Sequence, residues 1–376
     1  MIPFNKPYLQ GNELNYIAQA VSNGKISGDG AFTKKCHEFF EKKYGFKKVL
    51  LTTSCTDALE MAAILLDIQP GDEVIAPSYT FVSTVNAFSL RGATLVFVDS
   101  CSDNPNIDPV AIRNSITDKT RAIVVVHYAG IACDMDEIMS ISREHNIPVV
   151  EDAAQAIDSY YKERPLGSIG TFGTFSFHET KNIISGEGGM LVINDEQYIQ
   201  RAEIIREKGT NRASFFRGEV NKYGWVDIGS SFLPSDIIAA YLYAQLESLD
   251  DIQSKRKALW NRYNANLAKL AAENLIKLPD VPAYATNNAH MFYIVCNDIE
   301  TRSSLIAFLK DNGIHSVFHY LSLNKSDYFL ERNEAVDLEY SDRYTDCLLR
   351  LPMYYELSLE QVDSICSKIS EFFNMK

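Results

Sequence analysis

Between residues 48 and 195, seven short runs rich in apolar and β-branched residues alternate with segments of helical length: KVLLTT, DEVIAP, TLVFVD, RAIVVVH, IPVVEDAA, TFGTFSF and GMLVIND. The runs lack the apolar–polar alternation of a strand with one face in water, so each predicts a strand covered on both faces. A largely parallel sheet wrapped by helices meets that demand, and the stretch is therefore read as an α/β domain. Ligands of such sheets bind beyond the carboxyl ends of the strands. Polar residues at those ends are the first to inspect: Ser54 and Thr56, Tyr79 and Phe81, His127, Asp152, and Ser176 with His178.

From Pro234 a helical pattern runs through IIAAYLYAQLESLDDIQSKRKALWNRYNANLAKL, with Ile238, Tyr241, Leu242, Leu246 and Leu249 at helical spacing. Pro234 suits the first turn, where a missing N–H costs little. The remainder predicts a smaller α+β unit: MFYIVCN as a strand, RSSLIAFLKDNG as a helix closed by Gly313, and a last helix opened by Ser358 and Gln361 as a capping box. A chain of 376 residues exceeds one ordinary core. The expected division is 1–245 for the large domain and 246–376 for the small one.

A net charge of -13 argues against nucleic acid and anionic membranes as partners. No run reaches the roughly 18 apolar residues of a membrane span. MIPFNKPYLQGNEL has no basic segment followed by an apolar one, so no secretion signal is expected. Seven cysteines occur singly, without a CxxC pair or finger-like spacing to histidine, although Cys36 adjoins His37. They read as reduced thiols of a cytoplasmic protein, and no metal site is expected.

The chemistry centres on SFHETKNIISGEGG, residues 176–189, where Lys181 stands just beyond a buried strand and before a glycine-rich turn. Such a lysine is ordinarily a solvated surface charge. In LLTTSCTDALEMAAILL, small hydroxyl residues link a strand to a helix starting near Asp57, which makes either a phosphate cup at the helix N-terminus or a plain N-cap by Ser54. In EDAAQ, Asp152 is either a cap or a functional carboxylate able to pair with a protonated ring nitrogen. That pairing is the electronic handle on pyridoxal 5'-phosphate, whose aldehyde forms a Schiff base with a lysine. Lys181, close to a phosphate cup and a carboxylate, fits the role, because burial and nearby positive charge keep its amine nucleophilic. Gly186, Gly188 and Gly189 let the backbone turn sharply beside it. Tyr79 or Phe81 is placed to cover the cofactor ring, or else both are core aromatics. His127 and His178 are either catalytic or hydrogen-bonded core histidines.

Taken together, TSCTDAL, PSYTFVST, EDAAQ, FSFHETKN and GEGGM resemble the DegT/DnrJ/StrS nucleotide-sugar aminotransferases, a likeness running from IPFNKP through SGDGAFTKKCHEFFEKKYG to HMFYI, FHY and LRLP. The resemblance implies the aspartate aminotransferase fold (fold type I), with a large pyridoxal-phosphate domain and a smaller C-terminal one. It implies Lys181 as the Schiff-base lysine, Asp152 as partner of the pyridine nitrogen, Gln155 at the ring hydroxyl and Phe81 stacked on the ring. The amides of Cys55 and Thr56, with the Ser176 hydroxyl, would hold the phosphate.

Three departures stand out. Cys55 replaces a glycine common among relatives, and Ser231 in GSSFL replaces an asparagine that reaches the phosphate from the neighbouring subunit. HYLSLN has Ser322 and Asn324 where HYxPLH is frequent. Lys208 and Arg212 in EKGTNR are candidates for the substrate diphosphate, or residues of a solvated loop. His178, His319 and Tyr320 are further candidates near the sugar or cofactor. FHETKN, RAEIIREKGTNR and DIGSSFLPSD resemble most the branch that takes a dTDP-linked 4-keto-6-deoxyhexose and L-glutamate and makes dTDP-4-amino-4,6-dideoxygalactose for the enterobacterial common antigen. The family further implies a homodimer with shared active sites. Related 3-dehydratases carry histidine at the position of Lys181, and a nicotinamide enzyme would need a GxGxxG turn that the inspected strand-to-helix turns lack. The gluco epimer, a C3-amino sugar product and a non-catalytic sugar-nucleotide sensor of the same fold are the alternatives that stay open.

Overall fold

A computed structural model describes residues 1–375. All seven apolar runs become strands of one sheet: β1 Lys48–Thr52, β2 Glu73–Pro77, β3 Thr94–Val98, β4 Thr120–Val126, β5 Val149–Asp152, β6 Phe172–Ser176 and β7 Gly189–Ile193. Their order is β1-β7-β6-β5-β4-β2-β3. Only β7 runs against its neighbours, β1 and β6, while the β6-β5-β4-β2-β3 pairs are parallel.

Successive side chains of a strand point to opposite faces. Leu51, Ile75, Ile123, Val125, Val149 and Val192 therefore enter one buried cluster, and Leu50, Val74, Ala76, Val124, Val150 and Leu191 enter another. Helices α1 Glu13–Ser22, α2 Ala31–Tyr44, α5 Met135–His145 and α6 Asp236–Glu247 contribute to the first cluster; α3 Cys55–Leu65 and α4 Ser83–Ser89 contribute to the second. This is why the strands read as unbroken apolar runs.

The single helix expected after Pro234 is two helices. Pro234 lies outside the first turn, because Ser235 is the N-cap and its Oγ accepts from the Ile238 N–H at 3.4 Å. Helix α6 ends at Glu247, Ser248 leaves helical geometry at φ -109, and α7 Leu249–Ala272 follows. The apolar stripe continues across the break: Leu246, Leu249 and Ile252 join the large-unit core, whereas Leu259, Tyr263 and Leu267 join the small one. Periodicity alone does not register a break that preserves the buried stripe.

The small unit is an antiparallel sheet ordered β8 Ile276–Lys277, β9 Phe292–Cys296, β11 Leu348–Leu351 and β10 Val317–Phe318. It packs with α8 Ile299–Asp311, followed by Gly313 at φ +75, and with α9 Leu359–Asn374, whose Ser358–Gln361 capping box is formed. The chain's first residues belong here as well, through the Ile2–Ile314 bridge and a bond from the Met353 N–H to the Phe4 carbonyl at 3.3 Å. The result is the α/β architecture of fold type I, a seven-stranded mostly parallel sheet with a small antiparallel C-terminal sheet. No helix among the described residues is long and apolar enough to cross a membrane.

Candidate active site

A cavity of about 640 Å³ opens at the carboxyl edge of the large sheet, lined from the large unit by Ser54, Cys55, Thr56, Phe81, Asp152, Gln155, Ser176 and Lys181. Its floor at one end is the N-terminus of α3. The Ser54 hydroxyl caps that helix by accepting from the Asp57 N–H at 3.1 Å, so the plain N-cap reading holds. The amides of Cys55 and Thr56 make no hydrogen bond among the described residues and remain available to an anion. Strand β7 starts hard against this turn: a Cβ at Gly189 would collide with the Ser54 carbonyl and the Cys55 nitrogen. The Ser176 hydroxyl accepts from the His178 N–H at 3.4 Å, which leaves its own hydrogen free. Cys55 fits within the turn, and burial pushes its thiol above the ordinary range.

Lys181 sits in the connection of the antiparallel pair β6–β7, where Glu179 N–H bonds Gly186 O at 2.9 Å and Lys181 N–H bonds His178 O at 2.9 Å. Gly186 takes φ +81, a conformation that favours glycine. This folded connection turns Lys181 into the cavity, and its amine has no hydrogen bond or ion pair among the described residues. Burial lowers its pKa and Arg350 pulls the same way, against Cys55 and Asp152. Asp152, 6 % exposed, has its pKa raised by burial. The opposing influences are a 2.7 Å bond from Thr84 Oγ1, a 3.1 Å bond from the Ala154 N–H, and the charge of Lys181.

The small unit closes the far side with His290, His319, Tyr320 and Arg350. Gln155 Oε1 accepts from the Ala129 N–H at 2.6 Å, and its Nε2 donates to Tyr320 Oη at 3.1 Å. The second hydrogen of that amide is left for a ligand. His319 Nδ1 pairs with Tyr128 Oη at 3.1 Å, and burial lowers the pKa of the ring. Phe81 is 55 % exposed beside the cavity, its ring 6.0 Å from that of Tyr320. Tyr79 is buried among Tyr128, Tyr320 and Tyr344 as a core aromatic.

Of the other predicted residues, His178 alone reaches the cavity. His127 is fully buried, 3.0 Å from Glu151 Oε2, and accepts the Cys133 N–H on Nδ1, so it is a core histidine. His178 lines the cavity near its mouth, with Nδ1 2.9 Å from Thr180 Oγ1. Lys208, Arg212 and Ser231 do not line this chain's cavity. They surround Glu207, which bridges to Ser231 and lies 3.7 Å from Arg212, because the segment after Arg206 turns over the outer surface. Ser322 and Asn324 are buried and bond Thr345 and Ser78, away from the cavity.

The sequence profile of the DegT/DnrJ/EryC1/StrS aminotransferase family matches residues 7–370. The chain belongs to this family. It is 31% identical to the spore coat polysaccharide biosynthesis protein SpsC of Bacillus subtilis (strain 168) over 98% of this chain and 96% of that one. The putative sugar aminotransferase Spr1654 of Streptococcus pneumoniae, in its PLP form, superposes with TM-score 0.91 at 26% identity, over 100% of this chain and 99% of that one. DesV of S. venezuelae, in complex with a ketimine intermediate, superposes with TM-score 0.90 at 28% identity, over 99% and 98%.

This DegT-family member is a sugar aminotransferase, and its cofactor is pyridoxal phosphate. The cavity fits that group: free helix-terminal amides for a phosphate, a buried carboxylate for a ring nitrogen, and an unpaired amine for an aldehyde. Thr84, His290 and Arg350 were not singled out from the sequence. Arg350 carried a signal, a charged residue inside the apolar run LLRLP, whereas a hydroxyl in TFVST and a histidine in NNAHMFYI resemble ordinary strand-end residues.

Proposed function

We propose that the protein transfers the amino group of L-glutamate to C4 of dTDP-4-dehydro-6-deoxy-D-glucose, giving dTDP-4-amino-4,6-dideoxy-D-galactose for a cell-surface polysaccharide of the enterobacterial common antigen type. The observation that carries the reading is the convergence of Lys181, Asp152 and the α3 N-terminus on one cavity. Support for this particular substrate is the likeness in FHETKN, RAEIIREKGTNR and DIGSSFLPSD. Support for a polysaccharide destination is the relationship to SpsC.

The Cys55 and Thr56 amides and the Ser176 hydroxyl would hold the cofactor phosphate, Phe81 would cover the ring and the Gln155 amide would meet its hydroxyl. Bound pyridoxal phosphate supplies an electron sink at the carbon that loses or gains the amino group. Asp152, whose charged form Thr84 and the Ala154 N–H favour against burial, would present the negative charge that stabilises a protonated ring nitrogen. The Lys181 amine, whose pKa burial lowers, would take the proton from the α-carbon of the donor and return one to the sugar carbon in the second half of the cycle. His319 and Tyr320 close the small-unit side and meet the sugar.

A homodimer with shared sites completes this proposal. Lys208, Arg212 and Ser231 gather on one surface beside Phe216, Trp225 and Val226, which are 70%, 82% and 54% exposed, and an apolar patch of this kind favours association. The three polar residues then serve the neighbour's phosphate groups. The deciding experiment incubates the holoenzyme with dTDP-4-dehydro-6-deoxy-D-glucose and glutamate and reads the ring couplings of the product by NMR. An axial C4 amine is expected. An equatorial C4 amine, a product from a 3-keto substrate alone, or no amination would refute the assignment.

A further inference from the structure

The small unit presents to the cavity a lone pair that no neighbouring residue takes up. His290 stands just before β9, 4% exposed, in the wall of the cavity that Lys181 also lines. Its backbone is fixed firmly: Arg256 of α7 donates to the carbonyls of Ala289 and His290 at 3.0 and 2.6 Å, and Asn288 Oδ1 accepts the His290 N–H at 3.0 Å. Ala289 is held at φ +52, a left-handed conformation unfavourable to a residue with a side chain, and such strain persists only where the surroundings over-determine it. The ring is fixed as well. Asn182 Nδ2 donates to the Asn288 carbonyl at 2.9 Å and to Gln253 Oε1 at 2.8 Å, so Asn182 Oδ1, 2.9 Å from His290 Nδ1, is the accepting end. Nδ1 therefore carries the ring proton. Burial lowers the pKa of the ring well below the ordinary value, and the charges of Lys181, Arg350, Arg256 and His319 act the same way. A neutral imidazole protonated on Nδ1 has its lone pair on Nε2. No hydrogen bond reaches Nε2 among the described residues. The missing partner is therefore a hydrogen-bond donor of a ligand.

We propose that His290 Nε2 accepts the hydroxyl on the sugar carbon next to the ketone, C3 of the 4-keto-6-deoxyhexose, and selects keto sugars that carry it. The inference rests on the sugar-transaminase reading above. Carboxylates and phosphates are unsuitable partners, because a lone pair repels an acceptor that has no hydrogen to give. That excludes the cofactor phosphate, the substrate diphosphate and both carboxylates of glutamate, whose amino group is the group transferred. Hydroxyls remain, and the sugar supplies them. Lys181 is the charge that bears most on the His290 ring, and Lys181 works at the reacting carbon, so the hydroxyl lies beside that carbon. Of the two carbons flanking C4, C5 bears the methyl group and the ring oxygen, and only C3 bears a hydroxyl.

The test compares two substrates on the aminated holoenzyme by rapid-mixing absorbance, the 4-keto-6-deoxyhexose nucleotide and its 3-deoxy analogue. Wild type is expected to react with the analogue about 30-fold less efficiently, because the lone pair is then left without a partner. His290→Phe, which keeps a ring and removes the acceptor, should slow the full substrate about 30-fold and bring the two substrates within about threefold of each other. His290→Gln, which keeps an acceptor, should fall between. The glutamate half-reaction of both variants should stay within about threefold of wild type. NMR of protein carrying isotope-labelled histidine should show the His290 signal, assigned by its loss in His290→Gln, with Nε2 unprotonated, and the signal should shift on adding the aminosugar nucleotide but not its 3-deoxy counterpart. The comparison of substrates on wild type stands even if a variant fails to fold. A wild type indifferent to the hydroxyl, a His290→Phe enzyme that keeps the preference, equal losses in both half-reactions, or a proton on Nε2 would each overturn the proposal. If another keto-sugar nucleotide is the substrate, the C4 reading fails, and deoxy analogues at the carbons flanking its ketone decide His290 in the same way.

Discussion

Thr84 Oγ1 donates to Asp152 Oδ2 at 2.7 Å and is itself 2.8 Å from Thr80 Oγ1, so a hydroxyl relay from the α4 region fixes the carboxylate at the end of β5. Burial pushes Asp152 toward its neutral form, and this donor pulls it back. Thr84→Val keeps the shape and removes the donor. Leaving a buried acceptor one bond short costs about 1–3 kcal/mol. The expected outcome is weaker pyridoxal phosphate binding and both half-reactions slowed about tenfold, measured by cofactor titration and by rapid-mixing absorbance. Wild-type values in both would remove Thr84 from the site.

Lys181→Ala removes the proposed point of covalent attachment and the base together. Turnover is expected to vanish. The free amides at the start of α3 should still hold pyridoxal phosphate non-covalently, so it dialyses away slowly. Borohydride treatment of wild type followed by mass spectrometry should find the cofactor on the peptide containing Lys181, and a label on any other lysine contradicts the assignment.

The pH dependence of cofactor uptake follows from the Lys181 environment. Burial first, and Arg350 in addition, lower its pKa, while Cys55 and Asp152 oppose them. Only the neutral amine attacks an aldehyde, so covalent uptake by the apoprotein should rise with pH and level off below the ordinary lysine value. Removing a positive neighbour favours the charged amine, so Arg350→Gln should move the midpoint upward. A midpoint that is unchanged, or that moves down, would show that Arg350 does not act on Lys181.

Glu151, adjacent to Asp152, is wholly structural. Its buried carboxylate accepts the N–H groups of Gly167, Ile169 and Gly170 at 2.8, 2.7 and 2.6 Å, and His127 lies at 3.0 Å. Glu151→Ala strands several buried donors and should destabilise the fold by about 3 kcal/mol or more. Denaturant unfolding of the apoprotein reads this directly. Stability within error of wild type would contradict it.

Local pattern carried a great deal. Seven apolar runs named the seven sheet strands, the Ser358–Gln361 spacing named the last helix start, and contiguous motifs around Lys181 and Asp152 named the cofactor and the family, because each is written in a few adjacent residues. Folding in space decided the rest. It sent Glu151 to the interior beside the cavity-lining Asp152, exposed Phe81 while burying Tyr79, kept Lys208, Arg212 and Ser231 on the outer surface, and broke the long helix at Ser248. It also carried Arg350 to Lys181 from a different sheet. Periodicity records which side of an element is apolar; which side chains meet depends on strand order and on how the two units close over one another, and neither is encoded in adjacent residues.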